Sequence, residues 1–270
     1  MPTWRLIISE PVTGAWNMAL DEALLESCCA RTSISTLRFY NWEPACLSLG
    51  YAQSSSDVDQ EALMRKSWDL VRRPTGGKAI LHTDELTYSI TASIDEPLVQ
   101  GSVLESYCRL SEALLAGLSN LGIHALATRK KEGQVRESKP VCFETPSDYE
   151  ITVDGKKIIG SAQARRAKGV LQHGAIPIKG DLTRINQVLH FEHENERQVA
   201  NDRLNSHATT IAEYLGHEVS FLFVQKAFED GFRTTFNIDF LANGPTEKEF
   251  ARAGELMRIK YANPDWACRI

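Results

Sequence analysis

The chain has 270 residues, 43% of them hydrophobic, and a formal net charge of −5. That length supports one large core, read as a single domain over residues 1–270, and the acidic balance excludes a general nucleic-acid binder, which carries a basic excess. No apolar run reaches the roughly 18 residues a membrane span needs, and Met1-Pro2-Thr3-Trp4-Arg5 lacks the basic-then-apolar order of a signal peptide, so a cytoplasmic protein without a membrane segment is expected.

In chain order, residues 4–9 alternate as a strand, and residues 17–29 read as an amphipathic helix with Met18, Leu20, Ala23, Leu24 and Leu25 among acids. Residues 36–42 and 45–51 are predicted strands separated at Pro44, followed by a short helix over 57–66 and a strand over 69–73. After the turn Pro74-Thr75-Gly76-Gly77, β-formers continue to Ile94. Ser102 and Glu105 form a capping box that opens a helix ending at Gly122. Residues 128–147 are rich in charge and poor in apolar positions, the composition of a long loop. Residues 149–153 and 156–162 flank Asp154-Gly155, which supplies the positive φ of a type I′ hairpin turn, and 169–178 is the next strand. Residues 181–190, 206–215, 220–236 and 246–261 read helical, the last with a Thr246/Glu249 capping box. The fold class is therefore α/β (α+β): a central mixed sheet flanked by helices, closed by a helical C-terminal third over about 181–270.

Three segments have compositions suited to chemistry. Arg72-Arg73-Pro74-Thr75-Gly76-Gly77-Lys78 places cations around a glycine turn, where backbone N–H groups approach a ligand closely; the spacing of a P-loop is absent. His82 and the strand Glu85-Leu86-Thr87-Tyr88-Ser89 follow. In Lys157-Ile158-Ile159-Gly160-Ser161-Ala162-Gln163 a lysine precedes small residues that leave space, and a desolvated lysine acts as a base or faces a carbonyl oxygen. Gln172-His173-Gly174 puts another glycine on the next strand, a mark of close backbone approach. Six cysteines (28, 29, 46, 108, 142, 268) show no paired metal spacing, so they read as reduced thiols and no metal is expected.

In this order and spacing the three segments resemble the biotin/lipoate protein ligase and lipoyl transferase superfamily, as do Asn17-Met18-Ala19-Leu20-Asp21-Glu22 and Arg38-Phe39-Tyr40 with Trp42 and Pro44. The resemblance implies a mixed sheet with the acyl chain buried against it. Val141-Cys142-Phe143-Glu144-Thr145-Pro146-Ser147 resembles the cysteine loop of octanoyl transferases of the Bacillus type. It implies a catalytic pair, Cys142 as nucleophile and Lys157 as its activating cation and oxyanion partner. Arg73, Thr75, Gly76, Gly77, His82, Gly160, Ser161, Ala162, His173 and Gly174 are the expected substrate-binding residues.

The implied reaction takes an octanoyl group from the phosphopantetheine of acyl carrier protein to a lysine on a lipoyl domain such as glycine-cleavage H protein, with no ATP and no other cofactor. Lys78 stands where the family's turn has a third glycine. The alternatives are an ATP-dependent lipoate-protein ligase, an octanoyl amidotransferase working between lipoyl domains, and a non-catalytic acyl-binding protein. Arg129, Lys130, Lys131, Arg136 and Lys139, with Arg165, Arg166 and Lys168, are expected to form a basic rim for acidic partners.

Overall fold

The structure, a computed structural model, describes residues 1–129, 140–141, 143 and 149–270. Its strands and helices are β1 (Thr3–Ile8), α1 (Gly14–Cys29), β2 (Thr36–Tyr40), β3 (Cys46–Leu49), α2 (Gln60–Lys66), β4 (Asp69–Arg72), β5 (Ile80–His82), β6 (Glu85–Ser93), α3 (Val103–Asn120), β7 (Leu126–Arg129), β8 (Tyr149–Val153), β9 (Lys156–Arg166), β10 (Gly169–Pro177), α4 (Glu194–His207), α5 (Ile211–Leu215), α6 (Phe221–Phe236), β11 (Asp239–Ala242), α7 (Glu247–Leu256) and α8 (Pro264–Ala267).

The main sheet has eight strands in the order β11-β1-β2-β6-β10-β9-β8-β7, and it is mixed as expected: β1 runs parallel to β11 and β2, and the pairs from β2 to β7 are antiparallel. A separate three-stranded sheet, β4-β3-β5, holds the segments that the sequence places in the same sheet. Its strands are only three or four residues long and almost wholly buried, so no alternation marks which sheet they join.

One apolar cluster packs Tyr88, Ile90, Ile151 and Ile158 of the main sheet against Leu110, Leu114 and Leu118 of α3 and Phe228 and Phe232 of α6. A second joins Leu47, Leu49 and Ile80 of the small sheet to Ala175, Phe143, Leu204 and Ala208. The third is built on α1 against Ile7, Tyr40, Trp42 and Leu256. Both capping boxes are formed, Ser102 with Glu105 and Thr246 with Glu249. At the β8–β9 turn Asp154 and Gly155 take φ 48° and 79°, the two positive values a type I′ turn requires.

The C-terminal third departs from the sequence expectation in three places. Asp239–Ala242 adds a parallel edge strand to β1, too short and too exposed to show a pattern. Helix Glu194–His207 buries only Ala200 and Leu204, one turn apart, so it lacks the apolar stripe that reveals a helix in sequence. Residues 181–190 form a 3-10 segment, Leu182–Val188, rather than an α-helix. Among the described residues no helix is long and apolar enough to cross a membrane.

Candidate active site

The glycine turn is built from beneath. Gly77 has φ 90°, and a side chain on Gly50 would place its Cβ 1.9 Å from the Gly77 carbonyl oxygen, so both positions need glycine. Arg73 is buried, and its guanidinium donates to the carbonyls of Ser48 at 2.9 Å, Gly76 at 2.9 Å and Lys78 at 2.7 Å. Arg73 thus shapes the turn from within, beside the exposed surface of Gly76 and Gly77. Arg72 is likewise buried and donates to the carbonyls of Gly50 at 2.8 Å and Ala267 at 2.8 Å, fixing the C-terminal segment against the turn.

Two acid–histidine pairs end on this substructure. His82 is stacked on Trp42 with centroids 3.9 Å apart; Glu85 accepts from its Nδ1 at 2.5 Å and the Ser48 hydroxyl meets its Nε2 at 2.7 Å. His173 meets the Thr75 hydroxyl at 2.6 Å through Nε2 and Asp21 at 3.5 Å through Nδ1. Burial pushes the His173 imidazole below its ordinary range, against the opposing pull of Asp21, so the neutral ring accepts from Thr75 and turns its Nδ1–H to Asp21. His173 thus braces the turn directly through Thr75, while His82 reaches it only through Ser48, whose Oγ also accepts from Arg73 at 3.2 Å.

Because unfolded His173 takes a proton near pH 6.5 and the native ring resists it, stability contributed by the neutral ring is lost as pH falls below about 6.5. His173→Gln is expected to flatten the dependence of melting temperature on pH between about 5 and 7; superimposable slopes for the two proteins would remove that assignment.

Lys157 and Gly160 lie three apart on β9 yet share a face, and a bulge is the reason. Ile159 pairs with Ile151 while Lys157 pairs with Thr152, so Ile158 is the extra residue and Ile158 and Ile159 both enter the α3 side of the core. Lys157 then projects to the opposite face, buried to 5% exposure, with Nζ 3.1 Å from Glu150 Oε1 and 5.5 Å from the centroid of the Phe143 ring. A side chain on Gly160 would put its Cβ 3.4 Å from Phe143 Cζ and 3.7 Å from Lys157 Cε, ordinary contact distances. The neighbouring lysine of the pair, Lys156, turns away to Glu213 at 3.1 Å.

Cys142 lies outside the described residues. Its described neighbours in sequence are both anchored: Val141 bridges Ala79, Pro140 O accepts from Ala79 N at 2.9 Å and from Gln53 Nε2 at 2.9 Å, and Phe143 is buried beside Lys157. The chain on either side of position 142 is therefore tied to the glycine turn on one flank and to the lysine on the other. A small cavity of about 30 Å³ is lined by Val141 and Phe143 together with Ile80, Pro177 and Leu204.

Not every expected binding residue joins this face. Ser161 points to the α3–α6 side, where its Oγ meets Tyr88 OH at 2.7 Å, while Gly160 faces Phe143. Gly174 is glycine because a Cβ there would lie 2.6 Å from Tyr88 Cε1 and 2.7 Å from Gly160 O; the close approach is by its own sheet. Ala162 pairs with His173 and is half-buried on β9. Of the basic rim, residues 130–139 lie outside the described residues, and Arg165 is drawn inward, donating to Val99 O at 2.8 Å and Ser106 Oγ at 2.8 Å. Glu150, Ser48 and Gly50 were not singled out in the sequence; only Gly50, a glycine at the end of a strand, offered a signal.

Among the other cysteines, burial pushes the thiols of Cys28, to about 11, and of Cys29 and Cys46 above the ordinary range, which disfavours the thiolate a nucleophile needs. A wider cleft of about 490 Å³ at the β1–β11 edge, lined by Ile7, Trp16, Pro245 and Phe250, has Glu10 as its one titratable side chain.

Residues 13–233 match the Lipoyl protein ligase A/B catalytic domain. The chain is 41% identical to Octanoyltransferase LipM of Carboxydothermus hydrogenoformans, covering 100% of both chains, and 36% identical to Octanoyltransferase LipM of Bacillus subtilis, covering 98% of this chain and 97% of the relative. Among solved structures it resembles a bi-partite lipoate protein ligase from Thermoplasma acidophilum, with TM-score 0.80, 28% identity and coverage of 99% and 97%. A lipoate-protein ligase A bound with ATP superposes with TM-score 0.80 at 27% identity, covering 99% of each chain.

Proposed function

The chain belongs to the lipoyl protein ligase A/B catalytic-domain family and is an octanoyltransferase of lipoate biosynthesis, and from that premise we propose that it works through a thioester on Cys142. The Cys142 thiolate adds to the carbonyl of an octanoyl thioester on the phosphopantetheine of acyl carrier protein. A new C–S bond forms, the oxyanion collapses, and the carrier sulfur leaves and takes up the proton that Cys142 gave up. The ε-amine of a lysine on a lipoyl domain, such as that of glycine-cleavage H protein, then adds to the acyl-enzyme. A C–N bond forms, the bond to Cys142 breaks, and the amine proton passes to the departing sulfur.

The first half exchanges one thioester for another and the second makes an amide from a thioester, so neither half requires ATP. The observation that carries this reading is Lys157: a buried ammonium on the face where Phe143, the residue after Cys142, packs over Gly160. A fixed cation there favours a thiolate and stabilises the oxyanion without reorganising. Gly160 lets Phe143 and Lys157 approach β9 closely, and Gly76 and Gly77 present open backbone at the turn.

The test is intact-mass analysis after mixing the protein with octanoyl-acyl carrier protein in the absence of ATP. One octanoyl adduct is expected on the wild type and none on Cys142→Ser. No adduct on the wild type, together with ATP–pyrophosphate exchange driven by a free fatty acid, would replace this reading with that of a ligase.

A further inference from the structure

We propose that Glu150 is the positioning residue of Lys157: its carboxylate keeps the buried ammonium charged and aimed along the face bordered by Phe143 and Gly160. The inference rests on the Cys142 reading above and goes beyond it by giving Lys157 a carboxylate that positions it.

The register of the β8–β9 hairpin builds the pair. Thr152 is opposite Lys157, and Glu150, two residues earlier on β8, lies diagonally across from the lysine on the same face. Without the bulge at Ile158, Lys157 and Gly160 would point to opposite faces and the lysine would have no space beside it. The bulge and the carboxylate therefore act on the same side chain, one directing it and the other holding its tip at 3.1 Å.

Burial to 5% exposure works against a charged lysine, whereas a carboxylate in contact works for it. An ammonium that must stabilise a developing oxyanion is useful only while protonated. It carries three N–H donors, so a bond to Glu150 is compatible with another to the reacting oxygen.

Other described groups on the elements around Lys157 do not duplicate this role. Phe143 and Ala208 are apolar, and Thr209 meets the lysine through its backbone N–H, which donates to Lys157 O at 3.1 Å. α4, which ends at His207 just before Ala208 bridges Lys157, carries Arg203 and His207, and His207 Nδ1 meets Arg203 O at 2.8 Å. Lys156 is paired with Glu213.

The experiment compares wild type, Glu150→Gln and Glu150→Asp in the rate of Cys142 acylation from octanoyl-acyl carrier protein between pH 6 and about 10, with melting temperatures recorded for all three. Glu150→Gln is expected to move the alkaline limb of the profile down by about one pH unit, a roughly tenfold loss at the alkaline end, while Glu150→Asp keeps the limb near its wild-type position. A Glu150→Gln rate reduced by one factor at every pH is what a merely structural side chain gives, and it would overturn the proposal, as would an unchanged profile. If the wild type forms no adduct on Cys142, the Cys142 reading fails and takes this inference with it. If the adduct forms and the limbs coincide, only the role of Glu150 fails.

Discussion

Lys157→Ala is expected to lower kcat/KM for octanoyl transfer by about 10²–10³-fold, the usual cost of deleting one preorganised donor at an oxyanion. The size of the effect comes from burial. At the surface a single ammonium is screened by water, but here the apolar ring of Phe143, the sheet backbone at Gly160 and the end of α4 exclude solvent. Lys157→Arg should recover little, since a planar guanidinium cannot present its charge as the compact point that an ammonium 3.1 Å from Glu150 does. Steady-state kinetics with octanoyl-acyl carrier protein and a lipoyl-domain acceptor measure the loss, and a melting temperature taken alongside separates it from unfolding. A variant within about threefold of wild type would deny the lysine its place opposite the oxyanion.

Why the motif has the form Lys-x-x-Gly was not legible in the sequence. Alternation along a strand places residues three apart on opposite faces, so the segment alone pairs Lys157 with Ile159 rather than with Gly160. The bulge reverses this, and it exists because two large apolar residues in a row, Ile158 and Ile159, both enter the core. Side-chain direction misleads at Ser161 for the related reason that one step past the bulge the strand alternates normally again and sends it to Tyr88. Turn chemistry, capping boxes and the long amphipathic helices were readable because each is written within a few neighbouring residues. The edge strand Asp239–Ala242 and the small sheet depend on partners distant in sequence. Arg73 shows the same limit: cations around a glycine turn look like a ligand cradle, and only the fold reveals that this one points inward to the carbonyls of Ser48, Gly76 and Lys78.

Breaking the buried pair Asp21–Arg38 should give a large stability loss, about 3–5 kcal/mol for Arg38→Leu. Both side chains have 0% exposure, and Arg38 Nη1 donates to Asp21 Oδ1 at 2.8 Å while its Nη2 donates to Asn17 Oδ1 at 2.6 Å. Asp21 also accepts from Tyr40 OH at 2.9 Å and Ser89 Oγ at 2.8 Å. Burial alone would raise its carboxyl, but Arg38, and after it His173 and Ser89, outweigh burial and hold it below the ordinary range. A depressed native pKa means stability that is present above the unfolded value of about 3.9 and is lost as pH falls through the native one. Without the guanidinium the buried carboxylate favours protonation, so Arg38→Leu is destabilised most at neutral pH and the gap from wild type narrows in acid. Urea unfolding at pH 7 and near pH 4 measures both values. The double variant Arg38→Leu/Asp21→Asn should lose less than the sum of the single losses, because neither leaves a lone charge in the core once both are gone. Additive losses, or a gap that widens in acid, would show that packing around α1 rather than charge pairing sets the cost. Asp21 also faces His173, whose Nε2 accepts from Thr75 at the turn, so a carboxylate lost from α1 is felt at the glycine turn.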